Sequence, residues 1–171
     1  MIRTPSSEKA TENAAAPRCA VFVIGTISEA RRALAIGREL AVCPVLLSPP
    51  DAASFMGSPW WLAMMDAVRR ECLVPGSGAG GNSGPDECGL AGPAFIDILD
   101  CGAQAGRAAS ALALGQSRIV LHLECPQYRQ VADLAASLNA EVIACRPEAY
   151  VVTADLTAER LRDCFRHFSA E

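Results

Sequence analysis

The sequence predicts a single α/β domain with an open, mostly parallel sheet in a three-layer αβα arrangement. Short, continuous apolar runs alternate along the chain with longer segments that are apolar at helical spacing. This alternation is typical of a parallel sheet packed between helices. The first apolar run, Cys19 to Ile24, is typical of a strand buried on both faces. The alternative is a half-barrel completed by dimerisation, because the predicted strands are too few to close a barrel of about eight.

Helix-capping and turn residues set the bounds of the predicted elements. Thr26 and Glu29 form a capping box at the start of the first helix, and Gly115 supplies a left-handed residue at the end of another. The five predicted strands cover 19–24, 43–47, 95–99, 118–123 and 141–145, and 150–153 is a sixth, edge strand. The predicted helices cover 27–40, 52–56, 60–72, 103–114, 128–138 and a last segment from 155 or 157 to 168.

Two segments are expected to lie outside the packed part of the domain, which spans 18–171. Residues 1–17 are polar and alanine-rich, without the apolar stretch of a secretory signal, and are predicted to be a disordered leader. Residues 75–93 consist largely of Gly, Ser and Pro and are too long for an ordinary turn. We expect this second segment to be a flexible insertion.

The composition excludes several classes of function. The net charge is −4 and no basic stripe is present, so neither nucleic acid nor a membrane surface is an expected partner. No apolar run is long enough to cross a bilayer. The single lysine, Lys9, lies in the leader, which argues against a Schiff-base enzyme and a phosphate-binding P-loop. Two histidines cannot build a multi-histidine metal centre, so neither a metal nor another cofactor is expected.

The cysteine pattern indicates free thiols. The chain has eight cysteines, but none of them forms a CxxC or CxH pair of the kind that zinc and iron–sulfur sites use. Several lie inside apolar runs, as small buried hydrophobic residues do. A cytoplasmic, reducing location is therefore expected.

The turn after the third strand is the predicted ligand site. Ligands of open parallel sheets bind beyond the carboxyl ends of the strands. Two glycines flank a helix start there, which exposes backbone amides where an anion is favoured. The predicted ligand-binding residues are Asp100, Gly102, Gly106, Arg107 and, from the fifth strand, Arg146. This pattern predicts a small ligand with a carboxylate or phosphate group; the alternative is that the glycines only permit a tight turn and close packing.

Two further residues near this turn are candidates for catalysis. Cys101 lies at the same helix start, where the pKa of a thiol is expected to fall. His122, on the next strand, is positioned in the sequence to act as its base. A cysteine-nucleophile enzyme is therefore a third hypothesis for function, against the simpler interpretation that His122 is a buried, hydrogen-bonded histidine.

The helix that begins near residue 60 has a wide apolar arc. Trp60, Trp61 and Met64 cover more of its circumference than one contact with a sheet requires. Aromatic residues and methionine are enriched in interface cores. These three residues therefore predict a homo-oligomer contact, and a non-catalytic interaction subunit is the alternative function.

The order of elements is similar to that of response-regulator receiver domains. Asp100 falls where the phosphoacceptor of that family would follow the third strand. The acidic pair that would bind magnesium after the first strand is replaced by Gly25-Thr26, and Arg146-Pro147 stands where the family has lysine and proline. The resemblance is limited to the order of elements.

Overall fold

The computed structural model describes residues 20–72 and 95–169, so the predicted leader at 1–17 and the predicted insertion at 75–93 lie outside the described residues. The described chain forms one all-parallel sheet of six strands that alternate with helices, which confirms the predicted α/β fold and its edge strand. The strands are β1 (Val21–Val23), β2 (Val45–Leu47), β3 (Ile96–Asp100), β4 (Arg118–Val120), β5 (Glu141–Ile143) and β6 (Tyr150–Val151). The helices are α1 (Ile27–Leu40), α2 (Ala52–Phe55), α3 (Ser58–Cys72), α4 (Ala105–Ala113), α5 (Tyr128–Ser137) and α6 (Ala158–Ser169). Among the described helices, none is long and apolar enough to span a membrane.

The predicted capping box fixes the start of α1. The hydroxyl of Thr26 accepts a hydrogen bond from the backbone N–H of Glu29 at 3.2 Å, and the Glu29 carboxylate accepts from the N–H of Thr26 at 3.1 Å. The same carboxylate accepts from the N–H of Gly25 at 2.6 Å. Reciprocal bonds of this kind satisfy N–H groups that a helix start leaves without partners. The turn between β1 and α1 is therefore closed by its own residues.

The strand order is β5-β4-β3-β2-β1-β6. From β1 to β5 each strand is added on the same side of its predecessor. Right-handed crossovers therefore place the connecting helices on the same face of the sheet. This order differs from the 2-1-3-4-5 order of receiver domains, so the resemblance to that family ends with the succession of elements.

The sheet has a cluster of buried residues on each face, and the two clusters differ in composition. The larger cluster contains buried residues from every helix, packed on alternate strand residues such as Phe22, Leu46 and Leu99. The smaller cluster consists of strand residues and the β5–β6 connection: Val45, Leu47, Ile98 and Val120 are its buried members, and Val21, Val23, Ile96, Ile143 and Ala149 pack against them.

The connection between β5 and β6 requires the sheet to curl. These two strands form opposite edges of the sheet and are joined by residues 144–149 without a helix. Strands spaced about 4.8 Å apart would separate the edges of a flat six-stranded sheet by about 24 Å. A fully extended chain covers about 25 Å between residues 143 and 150, and this chain also turns to enter a parallel strand. The edges therefore approach one another, and the smaller cluster lies inside the curl.

The structure buries two of the three residues of the interface predicted on α3. Trp61 is completely buried and Met64 nearly so, both in the larger cluster, and Trp60 is half-buried with its ring centre 6.0 Å from that of Trp61. The indole N–H of Trp61 donates to the Asp97 carboxylate at 3.0 Å. The wide apolar arc is covered within one protomer, because α3 packs against α1, α4 and β3 together. Trp61 and Met64 are therefore core residues.

The two tryptophans of α3 differ in what they contribute to stability. We expect Trp61→Phe to lower the free energy of unfolding by about 1–3 kcal/mol, because it removes a hydrogen bond from a buried carboxylate. Trp60→Phe is the matched control. We expect its free energy of unfolding to change by no more than about 1 kcal/mol, because phenylalanine keeps most of the apolar contact of the ring. Urea denaturation of both variants measures the difference, and equal losses would contradict this account of Asp97.

Candidate functional site

The candidate site centres on Asp100 at the carboxyl end of β3, whose side chain is 2% exposed. One carboxylate oxygen, Oδ1, accepts hydrogen bonds from the backbone N–H groups of Gly102 at 2.8 Å and Asp51 at 3.2 Å. The other, Oδ2, accepts from a guanidinium nitrogen of Arg146. The backbone N–H of Asp100 donates to the hydroxyl of Ser48 at 2.8 Å. A buried carboxylate is tolerated when it is paired and hydrogen-bonded in this way.

Arg146 reaches this carboxylate from the β5–β6 connection. Besides its ion pair with Asp100, its second terminal nitrogen donates to the backbone carbonyl of Ser48 at 2.8 Å. A guanidinium carries five N–H groups, and the others make no hydrogen bond with a described residue. The side chain is 21% exposed. Arg146 is therefore held on one edge and open to solvent on another.

Gly102 permits a close approach between two turns of this edge. Its φ is +55°, and a Cβ atom there would lie 1.6 Å from a carboxylate oxygen of Asp51. Asp51 itself has a φ of +54° and precedes α2 without capping it through its side chain. The Gly102 amide already donates to Asp100. This geometry favours the tight-turn interpretation for Gly102 over an amide free for a ligand.

Gly106 and Arg107 lie in the open first turn of α4. The first helical bond runs from Ala108 N–H to the carbonyl of Gln104 at 3.0 Å, and the Gln104 side chain makes no cap. The amides of residues 105–107 therefore have no acceptor among the described residues. Gly106 and Arg107 are exposed, and a Cβ on Gly106 would meet nothing within 4 Å. The predicted ligand residues thus fall into a bonded group around Asp100 and an open helix start that follows it.

The expected Cys101–His122 pair is not formed. Cys101 is completely buried in the larger cluster, and burial, followed by the charge of Asp100, raises the pKa of its thiol to about 12. This is opposite to the expected lowering of the pKa. His122 lies two residues beyond the end of β4 and is half-buried. Its backbone N–H donates to the carbonyl of Gly102 at 2.8 Å, and no described contact joins it to Cys101.

Sequence reasoning missed the roles of Ser48 and Asp51. Ser48 is completely buried and binds both the backbone N–H of Asp100 and, through its carbonyl, Arg146. Both residues lie in the turn after β2, which is one of the carboxyl-end turns where ligands are expected. The position was predictable, but a serine and an aspartate beside two prolines are also typical of an ordinary turn.

A second buried carboxylate, Asp97, faces the helices from the same strand. It accepts hydrogen bonds from Trp61 at 3.0 Å and from the Gln116 amide at 2.9 Å, and it pairs with Arg69. The Arg69 guanidinium also lies 5.2 Å from the ring centre of Phe95. This network attaches α3 to the sheet and is separate from the Asp100 group, because residues 97 and 100 project to opposite faces.

The described residues contain no group of three or more His, Cys, Asp or Glu side chains that could hold a metal ion. Among the cysteines that the structure describes, Cys72, Cys101, Cys125, Cys145 and Cys164 carry free thiols. No protein-family model matches the chain, and no curated protein matches it.

The two glycines of the predicted site provide a test of this geometry. We expect Gly102→Ala to destabilise the fold by about 2 kcal/mol or more, because the methyl group meets Asp51 and the left-handed backbone is strained. At about 2–4 °C per kcal/mol, this lowers Tm by roughly 4–8 °C. Gly106→Ala is the control and should leave Tm unchanged or slightly raised, since helix propensity improves. A similar loss in both variants would contradict the described contact.

The raised pKa of Cys101 predicts a specific loss of stability in alkali. The unfolded chain loses this proton near the ordinary pKa of 9.0, whereas the folded chain keeps it up to about 12. The stabilisation is fully present below pH 9.0 and is lost as the pH rises towards 12. We therefore expect Tm to fall less steeply over this range in Cys101→Ala than in the wild type. Cys145→Ala, at an exposed thiol, is the control and should follow the wild-type curve.

Proposed function

We propose that this chain is a small-molecule binding domain whose ligand carries a carboxylate or phosphate group. The observation that carries the proposal is the state of Arg146. Its guanidinium is fixed by Asp100 and the Ser48 carbonyl, yet it keeps N–H donors that no described residue uses. Carboxylates and phosphates are the groups that the planar guanidinium fork matches best.

Fixation of Arg146 before binding favours ligand affinity. A long side chain loses rotamer freedom when it orders around a ligand, at about 0.5–1.5 kcal/mol. In this protein the two bonds to Asp100 and Ser48 order the side chain in advance. The position at the carboxyl ends of parallel strands also supports the proposal, because ligands of open α/β sheets bind there.

The charges around Arg146 restrict the ligand. Asp100 neutralises the guanidinium, and the exposed carboxylate of Asp51 lies against Gly102 at the same edge. The site therefore has no net positive charge, and a ligand oxygen binds through charge-assisted hydrogen bonds from Arg146. The open amides at the start of α4, next to Arg107, provide further donors for an anionic group.

The other hypotheses have weaker support. A cysteine-nucleophile enzyme would need an accessible thiolate, whereas Cys101 is buried with its pKa raised to about 12. An interaction subunit was expected to use Trp60, Trp61 and Met64, and two of these, Trp61 and Met64, belong to the protomer core. Homo-oligomerisation stays a prediction, and Trp60 is the residue of the expected contact that is only half-buried.

Titration with inorganic phosphate, followed by thermal unfolding, tests the proposed site. We expect saturable stabilisation of the wild type. Arg146→Ala should weaken apparent affinity by about tenfold to a hundredfold, the effect of one lost charge-assisted contact. Asp51→Asn should strengthen binding by a few-fold, because it removes a negative charge beside the site.

Arg166→Ala is the matched control for this titration. Arg166 is an exposed arginine on α6 that pairs with Asp163 of the same helix, so its loss should leave phosphate affinity unchanged. Undiminished affinity in Arg146→Ala would contradict the proposal. Equal weakening in Arg146→Ala and Arg166→Ala would indicate general attraction of anions to the protein surface and would also contradict it.

A further inference from the structure

Residues 144–149, which we call the strap, are attached to the rest of the protein in an unusual way. No backbone group of the strap makes a hydrogen bond with the described residues, and among its side chains only Arg146 does so. Ala149 adds an apolar contact with the smaller cluster. A segment that lacks backbone hydrogen bonds opens at a lower free energy than the core around it. The hydrogen bonds that hold the strap to the described residues are therefore those of Arg146.

The chain is firmly held again after the strap. The ring centre of Phe165 in α6 lies 4.4 Å from that of Phe22 in β1, and Arg162 makes two hydrogen bonds, at 2.7 and 2.9 Å, to Glu39 of α1. Arg32 also donates to the carbonyl of Thr153 at 2.6 Å. Release of the strap thus leaves α6 in place, and motion is confined to the strap and the two-residue strand β6.

We propose that the strap is a latch over the carboxyl edge of the sheet, closed when Arg146 binds Asp100 and the Ser48 carbonyl and open when those bonds break. In the closed state the strap covers the end of the smaller cluster, where Leu47 and Val120 are completely buried. In the open state Asp100 keeps its two backbone donors on Oδ1, while Oδ2 is exposed to water. Opening therefore leaves no buried carboxylate oxygen without a partner.

Ligand binding and closure of the latch are coupled. This part rests on the proposed function, because it requires the ligand to bind the free N–H groups of Arg146. Those groups face the carboxyl edge only while the strap is closed, so a ligand that binds them shifts the population towards the closed state. The closed latch is thus the state that binds the ligand, and ligand binding in turn keeps the strap closed.

Hydrogen exchange of two backbone amides, followed by NMR, tests the latch in the full chain. The N–H of Val152, directly after β6, donates to the carbonyl of Val23 at 3.0 Å, and the N–H of Ile24 donates to the carbonyl of Leu47 at 3.0 Å in the sheet. We expect Arg146→Ala to accelerate exchange at Val152 by about tenfold or more and to leave Ile24 unchanged. Arg146→Lys, which keeps the charge but not the fork, should give an intermediate rate at Val152.

The outcomes of this experiment separate the latch from the proposed function. Unchanged exchange at Val152 in a folded Arg146→Ala variant would overturn the latch. Equal acceleration at Val152 and Ile24 would also overturn it, because the arginine would then support the whole sheet. Inorganic phosphate should slow exchange at Val152 in the wild type only. A response at Val152 to the substitution but not to phosphate would support the latch and contradict the proposed function.

Discussion

The burial of the Asp100 carboxylate is the constraint on which the carboxyl edge of the sheet depends. An ionised carboxylate in an apolar interior is costly unless its oxygens are hydrogen-bonded. Here the donors come from three separate parts of the chain: the turn after β2, the turn after β3 and the strap. Each donor fixes the position of its segment, so one charge aligns three connections that the sheet alone would leave independent. Asp97 has the same role on the opposite face, where it attaches α3.

The curl of the sheet and the Asp100 pair depend on each other. Residues 144–149 must join the two edge strands, and they do so across the ends of the central strands. That path brings Arg146 to Asp100 and to the Ser48 carbonyl. A flatter sheet would stretch the strap and withdraw the guanidinium. The ion pair therefore specifies the geometry of the sheet more than it adds to its stability, since the desolvation of both charges offsets much of their attraction.

The sequence predicted the elements well because their determinants are local. The capping box at Thr26 and the left-handed Gly115, whose φ is +97°, mark boundaries through contacts with their own neighbours. The direction of Arg146 towards the third strand was also predictable from the rule for parallel sheets. The carboxylate partner of Arg146 was not, because it depends on the curl. The burial of Trp61 and Met64 was not predicted for a similar reason, since the number of neighbours around a helix is a tertiary property.

The two carboxylate oxygens of Asp100 have different partners, so one residue can fix two turns and also hold the strap reversibly. The backbone N–H groups of Asp51 and Gly102 donate to Oδ1, and both residues belong to turns that are fixed by the sheet. Among the described residues, only Arg146 donates a hydrogen bond to Oδ2. Loss of a buried partner is most costly when no water can replace it. When the strap leaves, Oδ2 loses both Arg146 and the residues that shield it from solvent. Water can then bind this oxygen, so the free-energy cost of opening stays below that of an unpaired buried charge.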